Sequence, residues 1–346
     1  MDHEDGATLP DLRRDRLRVG VVGLGRLWEA RHKPALAKLR DLFSVVAVYD
    51  QVAGRAAIEA HALRCSACDG LAQLVDRDDV DAVYVLTPQW FGTHPIRLAA
   101  EAGKPVYSAL PATGDPEALE RLAPLLRDSG IPFMPELARR FYPATLRLRE
   151  LIATTLGPVR CVLGHTRVSG FDRYVAPGPS TQLAPVPLAI DPGGYLLDWC
   201  RFVFGREPNR VRAVGATIAP VPDEGSPDHL DIALDFDAGG FAQVTIERIA
   251  HQPYLHLMRH VPQPGFRVFA ERGAAWVEMP DRIAWSDDRG VHEERLPADP
   301  TVGETLNEQF FRLVRGEPSL APGLDDLLAI VRLDREVRAS LQAVKA

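Results

Sequence analysis

The chain has 346 residues, with 40 Lys and Arg against 47 Asp and Glu, a formal net charge of −7. At 46% apolar and 25% charged residues it has the composition of a packed protein of two domains, which excludes disorder as its main state. No Lys/Arg block stands free of interleaved Asp/Glu, which excludes nucleic acid as an expected partner. No apolar run approaches the roughly 18 residues needed to span a bilayer, and Met1–Arg16 is polar, so no membrane association and a cytoplasmic location are expected. Four cysteines in this length imply no disulfide framework.

In chain order, Leu17–Val22 reads as a strand that runs into Gly23-Leu24-Gly25 and then a helical stretch through Arg40. A second apolar run, Phe43–Tyr49, ends at Asp50 and is followed by helical composition over Val52–Leu63. Next come a short helix at Leu71–Val75, a strand at Ala82–Leu86, a helix at Pro95–Ala102 and a strand at Pro105–Tyr107. Asp115-Pro116 supplies an N-cap and an N1 proline for a helix at Glu117–Asp128. Strands alternating with helices predict a parallel, doubly wound α/β sheet of the Rossmann type, with a domain over residues 15–140.

Beyond Arg140 the pattern changes. A helix at Pro143–Ala153 precedes strands at Arg160–Val168, Arg210–Ile218, Leu230–Phe236, Phe241–Ile249, Phe266–Ala270 and Ala274–Glu278. Turn signals stand at Asp237–Gly240 and Asp287–Gly290, and helices are expected at Tyr195–Phe204, Thr305–Arg315 and Gly323–Leu341. This predicts an α+β domain over 141–346 with a mainly antiparallel open sheet. Val175–Pro192 and Pro220–Pro227 read as long ordered loops.

Gly23-Leu24-Gly25 follows a strand and opens a helix, where glycines permit a tight turn and a close backbone approach to a pyrophosphate at a helix N-terminus. Gly23, Gly25, Arg26 and Leu27 are therefore candidate dinucleotide contacts, with Thr87 and Pro88 at the end of a neighbouring strand. Asp50 ends the second strand, where a carboxylate accepts from ribose hydroxyls and repels a 2′-phosphate, so NAD is favoured over NADP. The third glycine of G-x-G-x-x-G is replaced by Trp28. Two readings stand: a turn that no longer admits a dinucleotide, or a shifted helix that turns Trp28 outward.

The ordered series Val19–Gly25, His32-Lys33-Pro34-Ala35-Leu36, Asp78–Pro88, Ala102–Val106, Arg140-Phe141-Tyr142-Pro143-Ala144 and Asp191–Asp198 resembles the Gfo/Idh/MocA family, named for glucose–fructose oxidoreductase and inositol dehydrogenase. The resemblance runs nearly end to end. It implies nicotinamide-dependent oxidation or reduction of a sugar, cyclitol or related polyol. It also implies a homodimer or homotetramer built on the C-terminal sheet. Family members usually carry Glu-Lys-Pro where this chain has Ala109-Leu110-Pro111, so the lysine beside the reacting oxygen is replaced by leucine. In the family pattern Asp-x-Gly-x-His-x-x-Asp the matching residues here are Asp191, Gly193, Tyr195 and Asp198. By that resemblance Tyr195 is the candidate acid/base, with Asp191, Asp198 and Arg140 orienting substrate hydroxyls. After Thr87-Pro88 the chain reads Gln89-Trp90-Phe91, two aromatics that either stack a ligand ring or cap the core.

Cys65-Ser66-Ala67-Cys68 has CxxC spacing but lacks a second pair, and His251, His256 and His260 lack a carboxylate or cysteine at ligand spacing, so no metal site is expected. The leading expectation is an NAD-dependent oxidoreductase. Two alternatives remain open at this point: a ligand-binding or regulatory protein on the same fold without turnover, and redox-neutral elimination or epimerisation.

Overall fold

Leu17–Val22 (β1) is buried along almost its whole length, because it lies at the centre of a sheet covered on both faces. A computed structural model describes residues 16–88, 91–109, 115–169, 194–216, 227, 229–249 and 264–345. The chain divides into two units, one made of 1–138 with 299–328, the other of 139–298 with 329–346.

In the first unit β1 is joined by Phe43–Tyr49 (β2), Ser66–Ala67 (β3), Ala82–Val85 (β4), Val106–Ser108 (β5) and Phe133–Pro135 (β6). All pair in parallel, in the order β3-β2-β1-β4-β5-β6. The strand order reverses between β1 and β4, the position where doubly wound sheets open a crevice at their carboxyl ends. The helices Lys33–Lys38 (α1), Ala53–Leu63 (α2), Leu71–Val75 (α3), His94–Glu101 (α4) and Pro116–Ser129 (α5) make the crossovers. Asp115 caps α5 as its sequence requires, accepting from Ala118 N–H at 2.9 Å. Packing is tight where α3 crosses β1: a Cβ on Gly20 would lie 2.6 Å from Leu74 Cδ2.

The second unit opens with Pro143–Leu151 (α6) and Val159–Ser169 (β7) and continues with Gly194–Phe204 (α7), Pro208–Ala216 (β8), His229–Phe236 (β9) and Gly240–Ile249 (β10). Gly265–Ala270 (β11), Gly273–Glu278 (β12), Arg282–Asp287 (β13) and Gly290–Arg295 (β14) complete a sheet in the order β14-β13-β12-β11-β7-β10-β9-β8. Every pairing is antiparallel except β7 with β10, whose connection passes through α7, β8 and β9. Strict alternation of buried and half-exposed residues along β9 shows one face packed and one open. The packed face meets Leu148, Leu196, Trp199, Val203, Leu333 and Val337 from helices.

Val302–Arg315 (α8) and Leu324–Lys345 (α9) close the chain. The sequence alone places all of 141–346 in one domain, yet Asp299–Leu328 groups with the first unit. The cause is burial. Tyr84 on β4 and Tyr107 on β5 stack at 4.8 Å, and Phe310 of α8 meets both edge to face at 5.3 and 5.5 Å. Tyr84 OH donates to Asn307 Oδ1 at 2.9 Å, and Thr301 with Glu304 forms a capping box that starts the helix.

Among the described residues no helix is long and apolar enough to cross a membrane. The loops expected at 175–192 and, up to residue 226, at 220–227 lie outside the described residues. Replacing Phe310, which is fully buried, by alanine removes the contact that joins α8 to both tyrosines. Phe310→Ala is expected to lower stability by about 3–5 kcal/mol, measured by urea denaturation.

Candidate functional site

At the end of β1 the backbone of Gly23 takes φ +94°, and its N–H donates to Tyr49 O at 2.9 Å, which pins the turn to the end of β2. A Cβ at Gly23 would lie 2.8 Å from Leu86 O and 3.0 Å from Thr87 N, so both the angle and the space demand glycine. At Gly25 the described residues impose no such demand. A Cβ built there meets nothing within 4 Å, which leaves the turn open on its outer side for a ligand to approach the backbone. Helical geometry starts at Arg26, and Glu29 N–H donates to Gly25 O at 3.1 Å. The N–H groups ahead of Glu29 have no acceptor four residues back, so the exposed Arg26 and half-exposed Leu27 stand at the positive end of the helix.

Trp28 neither fills the turn nor faces solvent. It opens a wide π turn, Trp28–His32, closed by Lys33 N–H to Trp28 O, and it is 1% exposed. Its indole N–H donates to Glu59 Oε1 of α2 at 3.0 Å, and Lys33 Nζ holds the other oxygen at 2.9 Å. The expectation of an outward Trp28 is therefore corrected: a buried carboxylate on α2 gives the indole an inward partner.

Asp50 accepts from Leu24 N–H at 2.8 Å and from Val52 N–H at 2.9 Å, so its carboxylate is aimed at the turn. Arg55 of α2, about half exposed, also reaches it, at 3.2 Å. Beside the turn, Thr87 is 6% exposed and its Oγ1 is buried without a hydrogen-bond partner among the described residues, while Pro88 is exposed. An open glycine cradle, a helix start and a buried hydroxyl lacking a partner, all at one end of the sheet, fit a dinucleotide.

The second unit gathers a different chemistry. Tyr195, half-buried, sits in the first turn of α7, and Asp198 shares its face at i+3. Arg140 comes from the 3₁₀ turn Ala138–Phe141 and donates twice to Asp198, from Nε at 2.8 Å and Nη2 at 2.5 Å. Arg201 donates to the same carboxylate at 3.0 Å and is held in turn by Glu207, which also accepts from Arg332. Asp198 is 1% exposed. Among the described residues its oxygens face the guanidinium groups of Arg140 and Arg201. Arg201 and Glu207 were not singled out from the sequence, although the i, i+3 spacing of Asp198 and Arg201 on a helix was a usable signal.

Asp191, Leu110, Pro111, Trp90, His251, His256 and His260 lie outside the described residues. Cys65 is half-buried and Cys68 buried, and both are free thiols. Burial pushes the Cys65 thiol up to about 11 and raises Cys68 too, the reverse of what a reactive thiolate needs. Among the described residues no group of three His, Cys, Asp or Glu could hold a metal ion.

The oxidoreductase family described as GFO_IDH_MocA, NAD-binding Rossmann fold, matches residues 17–137, and its C-terminal domain matches residues 145–276. The chain is similar to the dTDP-3,4-didehydro-2,6-dideoxy-alpha-D-glucose 3-reductase of Actinomadura kijaniata, 31% identical over 300 residues and 86% of each chain. It is also similar to the inositol 2-dehydrogenase of Rhizobium meliloti strain 1021, 27% identical over 93% of this chain and 96% of that one. Its fold matches that of a levoglucosan dehydrogenase solved with NADH and levoglucosan, at a TM-score of 0.78 and 20% identity, over 95% of this chain and 98% of the other.

Two outcomes test this geometry. Gly23→Ala is expected to destabilise the fold by more than about 1 kcal/mol from backbone conformation alone, before the clash with Leu86 O, as a fall in the urea midpoint. Asp198→Asn removes the buried carboxylate charge that Arg140 and Arg201 share and is expected to cost about 3–5 kcal/mol by the same measurement.

Proposed function

The chain belongs to the Gfo/Idh/MocA oxidoreductase family, and from that premise we propose that it is an NAD(P)-dependent dehydrogenase acting on a CH–OH group of a sugar, an inositol or a related polyol. The observation that carries the reading is the open turn at Gly23–Gly25, with a buried, partnerless Thr87 hydroxyl beside it. When bound, NAD(P) supplies a nicotinamide that accepts or delivers hydride. Gly25, Arg26 and Leu27 bind its pyrophosphate through backbone N–H groups, Gly23 contributes by the tight turn that brings them there, and Thr87 with Pro88 lines the end of β4. Asp50 takes the ribose hydroxyls and favours NAD over NADP, since its fixed charge opposes a 2′-phosphate. Arg55, lying on that carboxylate, works in the opposite direction.

Tyr195 is the acid/base of this reading, moving a proton at its phenolic oxygen. Asp191 orients the substrate, and Asp198 contributes by holding the Arg140 guanidinium against the start of the helix that carries Tyr195. Relatives usually place the lysine of Glu-Lys-Pro beside the reacting oxygen. Here Ala109-Leu110-Pro111 offers no proton, and arginine stays protonated at ordinary pH, so the transfer falls to the tyrosine. For assembly we propose a homodimer or homotetramer on the open face of the second sheet. Support comes from the strands themselves, since β9 alternates buried with half-exposed residues and the helices of this unit pack on the buried side. Leu110 favours a second reading, a binding protein without turnover.

Titration with NADH and NADPH, followed by nucleotide fluorescence, is expected to show micromolar binding with NADH preferred. Arg55→Ala should weaken NADPH more than NADH. Steady turnover of NAD with a panel of inositols and sugars separates the dehydrogenase from the binding protein. Tyr195→Phe is then expected to lower kcat by about 10²–10⁴ while NADH affinity stays unchanged. Absence of binding to both nucleotides at millimolar concentration would overturn the dehydrogenase reading.

A further inference from the structure

Glu136 follows β6 directly, and its side chain is only 5% exposed. Two consecutive residues of the wide turn after Gly25 reach it: Arg31 Nη1 bonds Oε1, and His32 Nε2 lies 3.0 Å from Oε2. Tyr107 OH donates to Oε2 at 2.9 Å, and the backbone N–H of Glu136 donates to Ser108 O at 2.7 Å. One residue thus ties the ends of β5 and β6 to the helical segment that starts at the glycine turn. Burial pushes the Glu136 carboxyl up, but the bonds and charge of His32 and Arg31, with the Tyr107 hydroxyl, outweigh it and bring the group to about 2. It is ionised throughout the neutral range.

This segment has unusual need of an external anchor. A third glycine would let the helix sit directly on the strand; Trp28 replaces it and points toward α2 instead. The turn Trp28–His32 is π-wound, with one residue more per hydrogen-bonded ring than an α-helix. On its other side Gly303 abuts Arg31 so closely that a Cβ would lie 2.8 Å from Arg31 O. The segment is therefore held by contacts at Arg31 and His32, not by a close glycine contact at its start.

We propose that Glu136 is a positioning residue of the dinucleotide site: by holding Arg31 and His32 it sets where the N–H groups of Arg26 and Leu27 meet the pyrophosphate. The proposal rests on the reading of Gly23–Leu27 as a dinucleotide turn. It assigns Glu136 no contact with the ligand. Its effect is on nucleotide affinity, because misplacing the helix start by a fraction of an ångström lengthens hydrogen bonds that hold a charged group.

The test measures NADH affinity and melting midpoint together, for the native protein, Glu136→Gln, Arg31→Met, their double variant and Tyr107→Phe. Glu136→Gln is expected to weaken NADH binding about tenfold, Arg31→Met to do so nearly as much, and the double variant no more than Glu136→Gln alone. Tyr107→Phe removes a donor from the same carboxylate but keeps the ring that meets His32 edge to face at 5.1 Å, so it should melt earlier yet bind NADH like the native protein. Native-like NADH affinity in Glu136→Gln overturns the proposal. So does an affinity loss that follows the melting midpoint across all variants, Tyr107→Phe included. If Glu136→Gln does not fold, native-like affinity in Arg31→Met overturns it and a loss confined to Arg31→Met supports it. A native protein that binds neither NADH nor NADPH overturns the dinucleotide reading itself, and the proposal with it.

Discussion

The first unit depends on a steric constraint at the end of its central strand. Leu86 O and Thr87 N crowd Gly23 so closely that no side chain fits, and the positive φ that follows turns the chain away from the sheet. Because the turn is that tight, the helix after it starts at the carboxyl end of β1, beside the end of β2 where Asp50 waits. The Asp50 carboxylate then closes on Leu24 N–H and fixes the turn from the other side. Open space over Gly25 and the partnerless hydroxyl of Thr87 are consequences of the same geometry.

Both units use a buried carboxylate held by an arginine and a second nitrogen-bearing side chain. In the first, Glu136 is gripped by Arg31 and His32; in the second, Asp198 is gripped by Arg140 and Arg201. Taking such charges out of water costs several kcal/mol per ion, so neither arrangement is an economical way to stabilise a core. What it supplies is direction: a guanidinium hydrogen-bonded to a carboxylate, bidentate in the case of Arg140 on Asp198, has a favoured orientation, whereas an apolar contact tolerates sliding. Each carboxylate fixes a segment that begins a candidate site, the helix after Gly25 in one unit and the turn carrying Arg140 in the other.

Much of this was legible in the residues themselves. β1, β2 and the short helix α3 fall on the predicted boundaries, because apolar runs ending in Gly, Asp or polar residues leave little choice of register. Phe133–Pro135 is not among the predicted strands: three residues between Pro132 and Glu136 carry too short an apolar run to show a period, although an edge strand tolerates proline. The strands β13 and β14 carry too many charges to declare themselves, and only their turn, Asp287–Gly290, was visible. The place of α8 in the first unit was not legible at all: it depends on Tyr84 and Tyr107 meeting Phe310, contacts between residues far apart in the chain. For the sites, Gly23, Gly25 and Asp50 could be named because a local motif constrains them. Arg201 had only its i, i+3 spacing from Asp198 as a signal, whereas Glu136 belongs to no local pattern and meets Arg31, His32 and Tyr107 only after folding.

The loss of the third glycine follows the same logic. A glycine there fixes the helix through backbone contact at its first turn, where the ligand binds. Trp28 transfers the attachment to its own indole on Glu59 and, further along, to Arg31 and His32 on Glu136. Polar side-chain bonds thereby replace backbone packing as the source of helix position. Such an attachment is directional but depends on charge, so the turn of this chain answers to the ionisation of Glu136 in a way that a glycine-seated helix does not. The departure at residue 28 therefore alters how the cradle is held without closing it.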